Sequence, residues 1–397
     1  MIESVESVDS LLDGRAGCRV RAGWGSVAVL LGGGHICQIA LNTHPDINPL
    51  WRPPWRTMDP GQYEPERDAA RFGPPPDGRL LAGIAGHSLS FDHFGPPSPD
   101  ETRAGLSTHG EAPVAAWQLR RQFEGDRPGI ISRAVLPVSQ IDFERTLRVD
   151  AQHPVVYCEE RAQNLSAADR PISWNEHVTV GPPFLACDST FVDMPATDAK
   201  VIEASYSDAM GIVPQAAFTW PHAPTPDGGT HNLRTTPEGR YCRYTAQLLD
   251  PTLQLGFIAV SSLATGLLLL YVFPRAEFPW VGNWQESFYH TNPPWGGNTF
   301  CRGIEFSTTP FAQPKRRTID EGPLFHEPTW MWLPARSERS VRFVILMLEI
   351  PTDYAGVDRV TLENGTLRIA EHSIAARKTG RVLLQPIDPS FLNSGGR

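Results

Sequence analysis

Proline recurs about every ten residues along this chain, with 38 Pro and 34 Gly among 397 residues. Proline disrupts a helix interior because it lacks the N–H donor and its ring clashes with the preceding turn. Long helices are therefore excluded over most of the sequence. The runs between these breakers are short and apolar or alternating, and 142–149, which reads DFERTLRV, shows the period of two typical of a half-buried strand.

The runs of strand length predict an all-β fold, a large antiparallel β-sandwich. A two-residue Asn364-Gly365 loop predicts the clearest hairpin, because this pair adopts the positive φ angles of a type I′ turn. Twelve strands are predicted, at 26–31, 115–123, 130–136, 141–149, 155–163, 172–180, 241–249, 255–261, 267–273, 339–349, 359–362 and 366–369.

We find no repeat or low-complexity linker that would divide the chain. We therefore expect one β-sandwich domain at 23–385, an N-terminal extension at 1–22 and a flexible C-terminal tail at 386–397. The apolar stretch 253–274 approaches the length of a membrane span, but its central SSLATG is a turn signal. Two adjacent buried strands are the better interpretation. The long proline-rich loops 48–78, 95–105, 221–240 and 278–298 are where a binding site is expected.

Charge and cysteine content narrow the choice of partners. The net charge is −9 and no run of Lys or Arg occurs, so nucleic acid and anionic membranes are poor partners. Six scattered cysteines without a CxxC pair indicate buried free thiols in a reducing compartment. The acidic first twenty residues lack the features of a secretory signal. We expect a cytoplasmic protein, monomeric or homodimeric, that acts on a small molecule.

Three ionisable residues stand in distinctive contexts far apart in the sequence. His109 lies in STHGE, His177 in NEHVTVGPPF and Glu305 in RGIEFSTTPF. Two imidazoles and a carboxylate can add one proton to a substrate and remove another near neutral pH. The set therefore indicates acid/base chemistry that needs no cofactor.

These three segments, in this order, resemble the galactose mutarotase-like superfamily, whose best-known members are the aldose 1-epimerases. Its members carry one catalytic histidine in His-Gly-Gly, a second in Asn-His-x-Tyr-Phe, and a later glutamate. The resemblance implies a super-sandwich of two large sheets with the site in a groove on one face. It also implies an isomerase that interconverts α and β anomers by opening the sugar ring, with Glu305 as base, His177 as acid and His109 as the electrostatic partner.

The chain departs from the family pattern at several positions. Gly110-Glu111 follows His109, Glu176 precedes His177, and the Tyr-Phe pair is replaced by Thr179-Val180 and the residues after it. The Gly-Phe-Asp-His segment, whose aspartate binds a sugar hydroxyl in the galactose-specific members, and their upstream Gly-Arg-x-x-Asn-Arg segment have no counterpart. The resemblance therefore extends to the type of reaction and not to the identity of the sugar.

A pyranose presents an apolar face and a rim of hydroxyl groups, so aromatic side chains flanked by polar groups are expected around it. The aromatic candidates are Phe91, Phe184, Trp280, Trp284 and Trp295. The candidate hydroxyl partners are His87, Asp92 and Glu176.

Two other functions fit the same residues. His109 and Glu111, with His87 and His93, are ligand types for a metal site, which would make the protein a cupin-like, metal-dependent sugar isomerase. A non-catalytic carbohydrate-binding protein would keep the groove without the chemistry. Glu305 is also compatible with a surface carboxylate on an edge strand, and the tryptophans with core packing.

Overall fold

The computed structural model describes residues 4–124, 127–374 and 380–392. Strands dominate them, and the helices are short, as the proline content predicts. The α-helices are α1 (Pro65–Phe72), α2 (Gly78–Gly83), α3 (Pro99–Arg103) and α4 (Lys315–Glu321), and single 3-10 turns occur at Pro60–Gln62, Ala112–Val114 and Ala204–Tyr206. The strands are β1 (Ser4–Leu12), β2 (Arg15–Arg21), β3 (Gly25–Leu30), β4 (Ile36–Leu41), β5 (His87–Asp92), β6 (Gln118–Glu124), β7 (Arg127–Leu136), β8 (Ile141–Val149), β9 (Val155–Asn164), β10 (Arg170–Val180), β11 (Thr190–Asp193), β12 (Ala196–Val201), β13 (Ala217–Thr219), β14 (His222–Pro224), β15 (Thr230–Asn232), β16 (Tyr241–Leu249), β17 (Leu255–Ser262), β18 (Leu267–Pro274), β19 (Trp280–Ser287), β20 (Phe300–Ser307), β21 (Met331–Leu333), β22 (Glu338–Glu349), β23 (Val357–Glu363), β24 (Thr366–Glu371) and β25 (Val382–Pro386).

Two large antiparallel sheets form the sandwich. The first has twelve strands in the order β1-β2-β3-β4-β5-β10-β20-β19-β16-β12-β13, with β21 also paired to β10. The second has eight strands in the order β11-β17-β18-β22-β9-β8-β7-β6. Apolar side chains from both sheets meet in one core, which includes Val178 and Ile304 of the first sheet and Phe343 and Leu147 of the second. The fold predicted from the sequence is confirmed.

Each of the twelve strands predicted from the apolar runs is present. The stretch 253–274 forms the adjacent strands β17 and β18, paired from Leu255↔Pro274 to Ser262↔Leu267. No described helix has both the length and the hydrophobicity to cross a bilayer. The predicted Asn-Gly hairpin joins β23 and β24, with φ of 50° at Asn364 and 76° at Gly365. All six cysteines are free thiols, and five are buried.

The ends of the chain differ from the expected extension and tail. From Ser4 onward the N-terminal segment supplies β1 and β2, which pair with each other and then with β3. At the other end, Ile387 and Leu392 are buried against the eight-stranded sheet and the small sheet β23-β24-β25. Both segments are held because they bury apolar side chains or extend a sheet. Residues 1–3 and 393–397 lie outside the described residues.

The central strands of the twelve-stranded sheet are buried on both faces. In β5, β19 and the Ile172–Val180 part of β10, every residue is buried. One face packs against the eight-stranded sheet, and residues of the predicted loops 48–78 and 95–105 and of the segment 288–298 lie over the other. The segment 278–298 was predicted to be a loop, but its residues Trp280–Ser287 form β19 in the middle of the sheet.

Candidate active site

His177 and Glu305 lie directly opposite each other on the neighbouring strands β10 and β20. Directly paired residues of an antiparallel sheet project from the same face, so the two side chains meet. His177 Nε2 is 3.3 Å from Glu305 Oε1, and both side chains are almost fully buried. His177 Nδ1 lies 3.2 Å from the hydroxyl of Thr179, the next residue on the same face of β10. The sheet register therefore places an imidazole and a carboxylate in contact.

Two glycines leave room for the Glu305 carboxylate over the sheet. Gly282 of β19 is the direct partner of Glu305, and an added Cβ there would lie 2.0 Å from Tyr244 Oη and 3.2 Å from Glu305 Oε2. An added Cβ at Gly303 would lie 2.6 Å from Glu305 Oε1. Any larger residue at either position would displace the groups around the carboxylate. Within the described residues, Glu305 Oε2 has no hydrogen-bond partner.

His109 reaches the same place from the loop that follows α3. Its backbone adopts φ of 65°, a left-handed conformation that is uncommon for residues other than glycine. The ring stacks on Phe94 and lies 5.0 Å from the His177 ring, measured between centroids. The backbone N–H of Gly95 donates to His109 Nδ1 at 3.2 Å. Because Nδ1 accepts this bond, neutral His109 carries its proton on Nε2 and acts there as a donor.

Burial raises the pKa of the Glu305 carboxyl and lowers the pKa of the His177 and His109 imidazoles. It raises the pKa of the Glu305 carboxyl to about 8, against a smaller opposing effect of the Asn175 amide. It lowers the pKa of His177 to about 4. The pKa of His109 also falls well below 6.5, first through burial and then through the nearby His177 and His93. Low dielectric disfavours the charged form in each case. Between the two shifted values, the His177–Glu305 pair holds one proton.

All three residues line one cavity of about 620 Å³. Its lining comes from α2, from β16 and β19 of the twelve-stranded sheet, and from the loops over that sheet. The lining is largely apolar and includes Leu80, Leu81, Ile84, Phe94, Ile202, Tyr206, Tyr244, Trp284 and Trp295. Trp295 belongs to an aromatic cluster in which it stacks on Trp51, with ring centroids 6.4 Å apart, and meets Trp55 edge-on. The cavity has the volume and the mixture of apolar walls and few polar groups that small-molecule sites show.

Of the residues predicted to bind substrate, Trp284 and Trp295 line this cavity. His87, Phe91, Asp92, Glu176, Phe184 and Trp280 do not. Phe91 and Phe184 are part of the core between the sheets. Asp92 is bound by Lys315 Nζ at 2.6 Å, and the indole N–H of Trp280 donates to the Pro328 carbonyl at 2.8 Å. These six side chains therefore have structural partners outside the cavity.

His87 and Glu176 illustrate the physical reason for this difference. Successive residues of a strand point to opposite faces, so Glu176 points away from the cavity that its neighbour His177 lines. His87 lies opposite Val178, on the same inner face. Its Nε2 is 2.7 Å from Glu176 Oε2, which also accepts a hydrogen bond from Arg145 Nη2 at 3.0 Å. The Arg145 guanidinium also binds Glu160, so these groups form a buried charge network between the sheets.

The metal site considered from the sequence is not formed. Glu111 accepts hydrogen bonds from the backbone and hydroxyl of Ser139, at 2.7 and 2.9 Å, and so holds the turn between β7 and β8. His87 is bound in the charge network, on the other side of the sheet from His109. Among the described residues, one group of three potential ligands does converge, and it consists of Cys242, Glu286 and His290.

Three further residues of the site were not predicted from the sequence. Asn175 lies two residues before His177 on the same face of β10, and Tyr244 and His290 line the cavity. The period of two in β10 identifies Asn175 once His177 is chosen. No comparable signal identifies Tyr244 or His290, because both reach the site through the pairing of β16 with β19 and through the following loop.

The architecture is a two-sheet β-super-sandwich with a buried histidine–glutamate pair on one sheet. No family model matches the sequence, and a search of curated proteins finds no match. Solved structures do match. They include a candidate aldose 1-epimerase from Klebsiella pneumoniae subsp. pneumoniae MGH 78578, at a TM-score of 0.62 and 11% identity over 88% of each chain.

Two further structures show the same likeness. A galactose mutarotase-like protein from Clostridium acetobutylicum has a TM-score of 0.56 and 11% identity, over 88% of this chain and 99% of that one. A galactose mutarotase related enzyme from Lactobacillus acidophilus has a TM-score of 0.52 and 11% identity, over 84% and 98%. The chain therefore has the galactose mutarotase-like fold, and the low identity places it far from these proteins in sequence.

Proposed function

We propose that the protein is an aldose 1-epimerase-type isomerase, which interconverts the anomers of a sugar by acid/base opening of its ring. The observation that carries the proposal is the contact between His177 Nε2 and Glu305 Oε1 within the cavity, at 3.3 Å. Ring opening requires removal of the proton from the C1 hydroxyl and addition of a proton to the ring oxygen. A pair that holds one proton between two sites can do both.

The unpartnered Glu305 Oε2 is the atom we assign to the C1 hydroxyl. In the free site the shared proton rests on Glu305, because burial raises the pKa of this carboxyl and lowers that of His177. Transfer of that proton to His177 across the 3.3 Å contact leaves Glu305 as the base and His177 as the acid. After rotation about the C1–C2 bond, the same groups act in reverse and close the ring to the other anomer.

His109 supplies the third interaction. As a neutral ring with its proton on Nε2, it donates a hydrogen bond without adding a second positive charge beside His177. A fixed donor of this kind stabilises the negative charge that develops on a sugar oxygen as the ring bond breaks. Its position is held by the Gly95 backbone and by stacking on Phe94. We therefore assign His109 as the electrostatic partner in the reaction.

The cavity favours a neutral sugar. Within the described residues, Arg317 is the one Lys or Arg side chain in the cavity wall. It binds Glu203 through two nitrogens, at 2.7 and 3.0 Å, and Glu321 at 2.7 Å. A phosphate or uronic acid would have to compete with two carboxylates for this guanidinium. Trp284 and Trp295 supply the apolar surface against which the face of a pyranose packs.

The test is anomer exchange measured by NMR on a panel of neutral aldoses, with sugar binding measured in parallel. We expect the wild-type protein to accelerate exchange of at least one sugar. Glu305→Gln keeps the shape and removes the base, so it should lower kcat by about 10²–10⁴-fold while binding survives. Glu338→Gln, which alters an exposed carboxylate on β22, is the matched control and should leave the rate unchanged.

Two outcomes would contradict the proposal. Binding of a sugar by the wild-type protein without any acceleration would indicate a carbohydrate-binding protein. Acceleration that persists in Glu305→Gln would show that the pair is not the catalytic unit.

A further inference from the structure

Three potential metal ligands converge beside the cavity, away from the His177–Glu305 pair. Cys242 of β16 and Glu286 of β19 are direct cross-strand partners, and both are fully buried. His290 follows Glu286 by four residues, and its Nδ1 lies 2.7 Å from Glu286 Oε2. The three ligand atoms, one from each residue, all lie within 4.8 Å of one another. A thiol, a carboxylate and an imidazole thus share one small volume.

This donor set suits a borderline-soft divalent ion such as Zn²⁺. Bonds to Zn²⁺ of about 2.0–2.3 Å place tetrahedral ligand atoms roughly 3–4 Å apart, so small side-chain movements would close the group around an ion. The two oxygens of Glu286 have separate roles. Oε1 accepts the backbone N–H groups of Tyr289 and His290, at 2.8 and 3.0 Å, which leaves Oε2 to face His290. A backbone-anchored carboxylate of this kind is pre-oriented for a metal.

A disulfide does not account for the thiol. Cys301 of β20 is the partner of Glu286 on its other side, so two strand spacings separate it from Cys242. That separation is about 10 Å between Cα atoms, beyond the roughly 7 Å limit for a disulfide. Burial and the charge of Glu286 raise the pKa of the Cys242 thiol, and a bound cation would oppose both effects.

We propose that Cys242, Glu286 and His290 bind a divalent ion of the Zn²⁺ class, with water as the fourth ligand. The site is distinct from the acid/base pair, because Glu286 pairs with Cys301, four residues from Glu305 along β20. Four residues of strand span about 13 Å, which is too far for the ion to touch atoms held by Glu305. The inference therefore does not depend on the proposed isomerase activity.

The ion's effect would be on the cavity wall. His290 and Trp295 both line the cavity, and their ring centroids are 5.3 Å apart. His290 is a third exposed and lies in the segment between β19 and β20. Coordination would tie this segment to the sheet through Cys242 and Glu286, and so hold Trp295 in place against Trp51.

The test uses the full chain, with any affinity tag removed, loaded with Zn²⁺ and dialysed before elemental analysis. We expect about one Zn²⁺ per chain for wild type. Substituting Co²⁺ should give the thiolate-to-metal charge-transfer absorption of a cysteine ligand. Affinity should rise with pH, because binding releases the thiol proton. Cys242→Ser should lose the absorption band. Cys301 is the matched buried thiol, on the other side of Glu286 in the sheet, and Cys301→Ser should keep both the band and the metal.

His290→Ala provides a second, less invasive variant, since its side chain is partly exposed. Zn²⁺ should raise the Tm of wild type and of Cys301→Ser and leave that of His290→Ala unchanged. Absence of stoichiometric Zn²⁺ in wild type, or equal loading of wild type and His290→Ala, would overturn the proposal and leave Glu286 as a cap for the turn after β19.

Discussion

Glu305 and Gly303 stand two residues apart on the same face of β20, and the Glu305 carboxylate occupies the space that a side chain at Gly303 would need. An added Cβ at Gly303 would lie 2.6 Å from Glu305 Oε1 and 3.1 Å from the Trp284 ring. Contacts below 3.0 Å require something to move, and the carboxylate is the flexible partner. The position of the catalytic candidate therefore depends on the absence of a neighbouring side chain.

Gly303→Ala should displace Glu305 from its contact with His177 and lower anomer exchange. A displacement of about 1 Å can cost on the order of 10²-fold in rate, so a loss of 10- to 100-fold is expected. The measurement is kcat/KM by NMR, with circular dichroism to confirm the fold. Gly23→Ala, where an added Cβ would lie 3.4 Å from the Ala151 carbonyl oxygen, is the control and should behave as wild type. Full activity in Gly303→Ala would show that the placement of Glu305 is not critical.

The dependence of kcat/KM on pH should form a broad bell. The pair gains a second proton near pH 4, where His177 titrates, and loses its only proton near pH 8, where Glu305 titrates. Only the singly protonated pair can both give and accept a proton, so the rate should be flat between these limits and fall about tenfold per pH unit outside them. A pH–rate profile with a single transition near pH 6.5, the ordinary pKa of histidine, would contradict a buried pair that holds one proton.

The stability of Glu305→Gln relative to wild type should increase from acidic to alkaline pH. The folded protein raises the pKa of Glu305 from 4.5 to about 8, so this group's contribution is fully present below pH 4.5 and is lost as pH rises through about 8. Glutamine is neutral throughout and avoids the loss. The difference in free energy of unfolding should shift towards the variant by a few kcal/mol, on the order expected for such a pKa change.

Urea unfolding of both proteins at pH 5 and pH 8.5 measures this shift. Subtracting the free energy of unfolding of wild type from that of the variant at each pH cancels the contributions of the other titrating groups. Glu338→Gln, exposed on β22, should show the same difference from wild type at both pH values. A constant difference for Glu305→Gln as well would mean that the carboxyl is not held neutral in the folded protein.

Trp295→Ala should weaken sugar binding with little effect on the chemical step. Trp295 lines the cavity but contacts other aromatic rings and not the His177–Glu305 pair. Loss of one aromatic surface is worth roughly 0.5–1.5 kcal/mol beyond its burial, so KM should rise about 2- to 13-fold while kcat changes less. Trp332→Ala, at a tryptophan that is 54% exposed, is the control and should leave KM unchanged. An unchanged KM in Trp295→Ala would place the sugar elsewhere in the cavity.

The sequence alone determined the elements that depend on near neighbours in the chain. Proline density excluded long helices, apolar runs located strands such as β8 and β16, and Asn364-Gly365 located a hairpin. These signals are local because a turn or a period of two is decided within a few residues. His109, His177 and Glu305 were also selected from the sequence, through their short contexts, and the structure brings all three to one cavity.

The tertiary structure decided which side chains share a face, since that depends on the register between strands distant in sequence. Glu176 adjoins His177 but points into the core, whereas Gly282 comes to lie directly opposite Glu305. The segment expected as an extension joined the large sheet for the same reason, because β1 is held by its pairing with β2 and by the burial of Val5 and Leu12. Local pattern specifies a strand, while only pairing across the sheet specifies its neighbours and so the site.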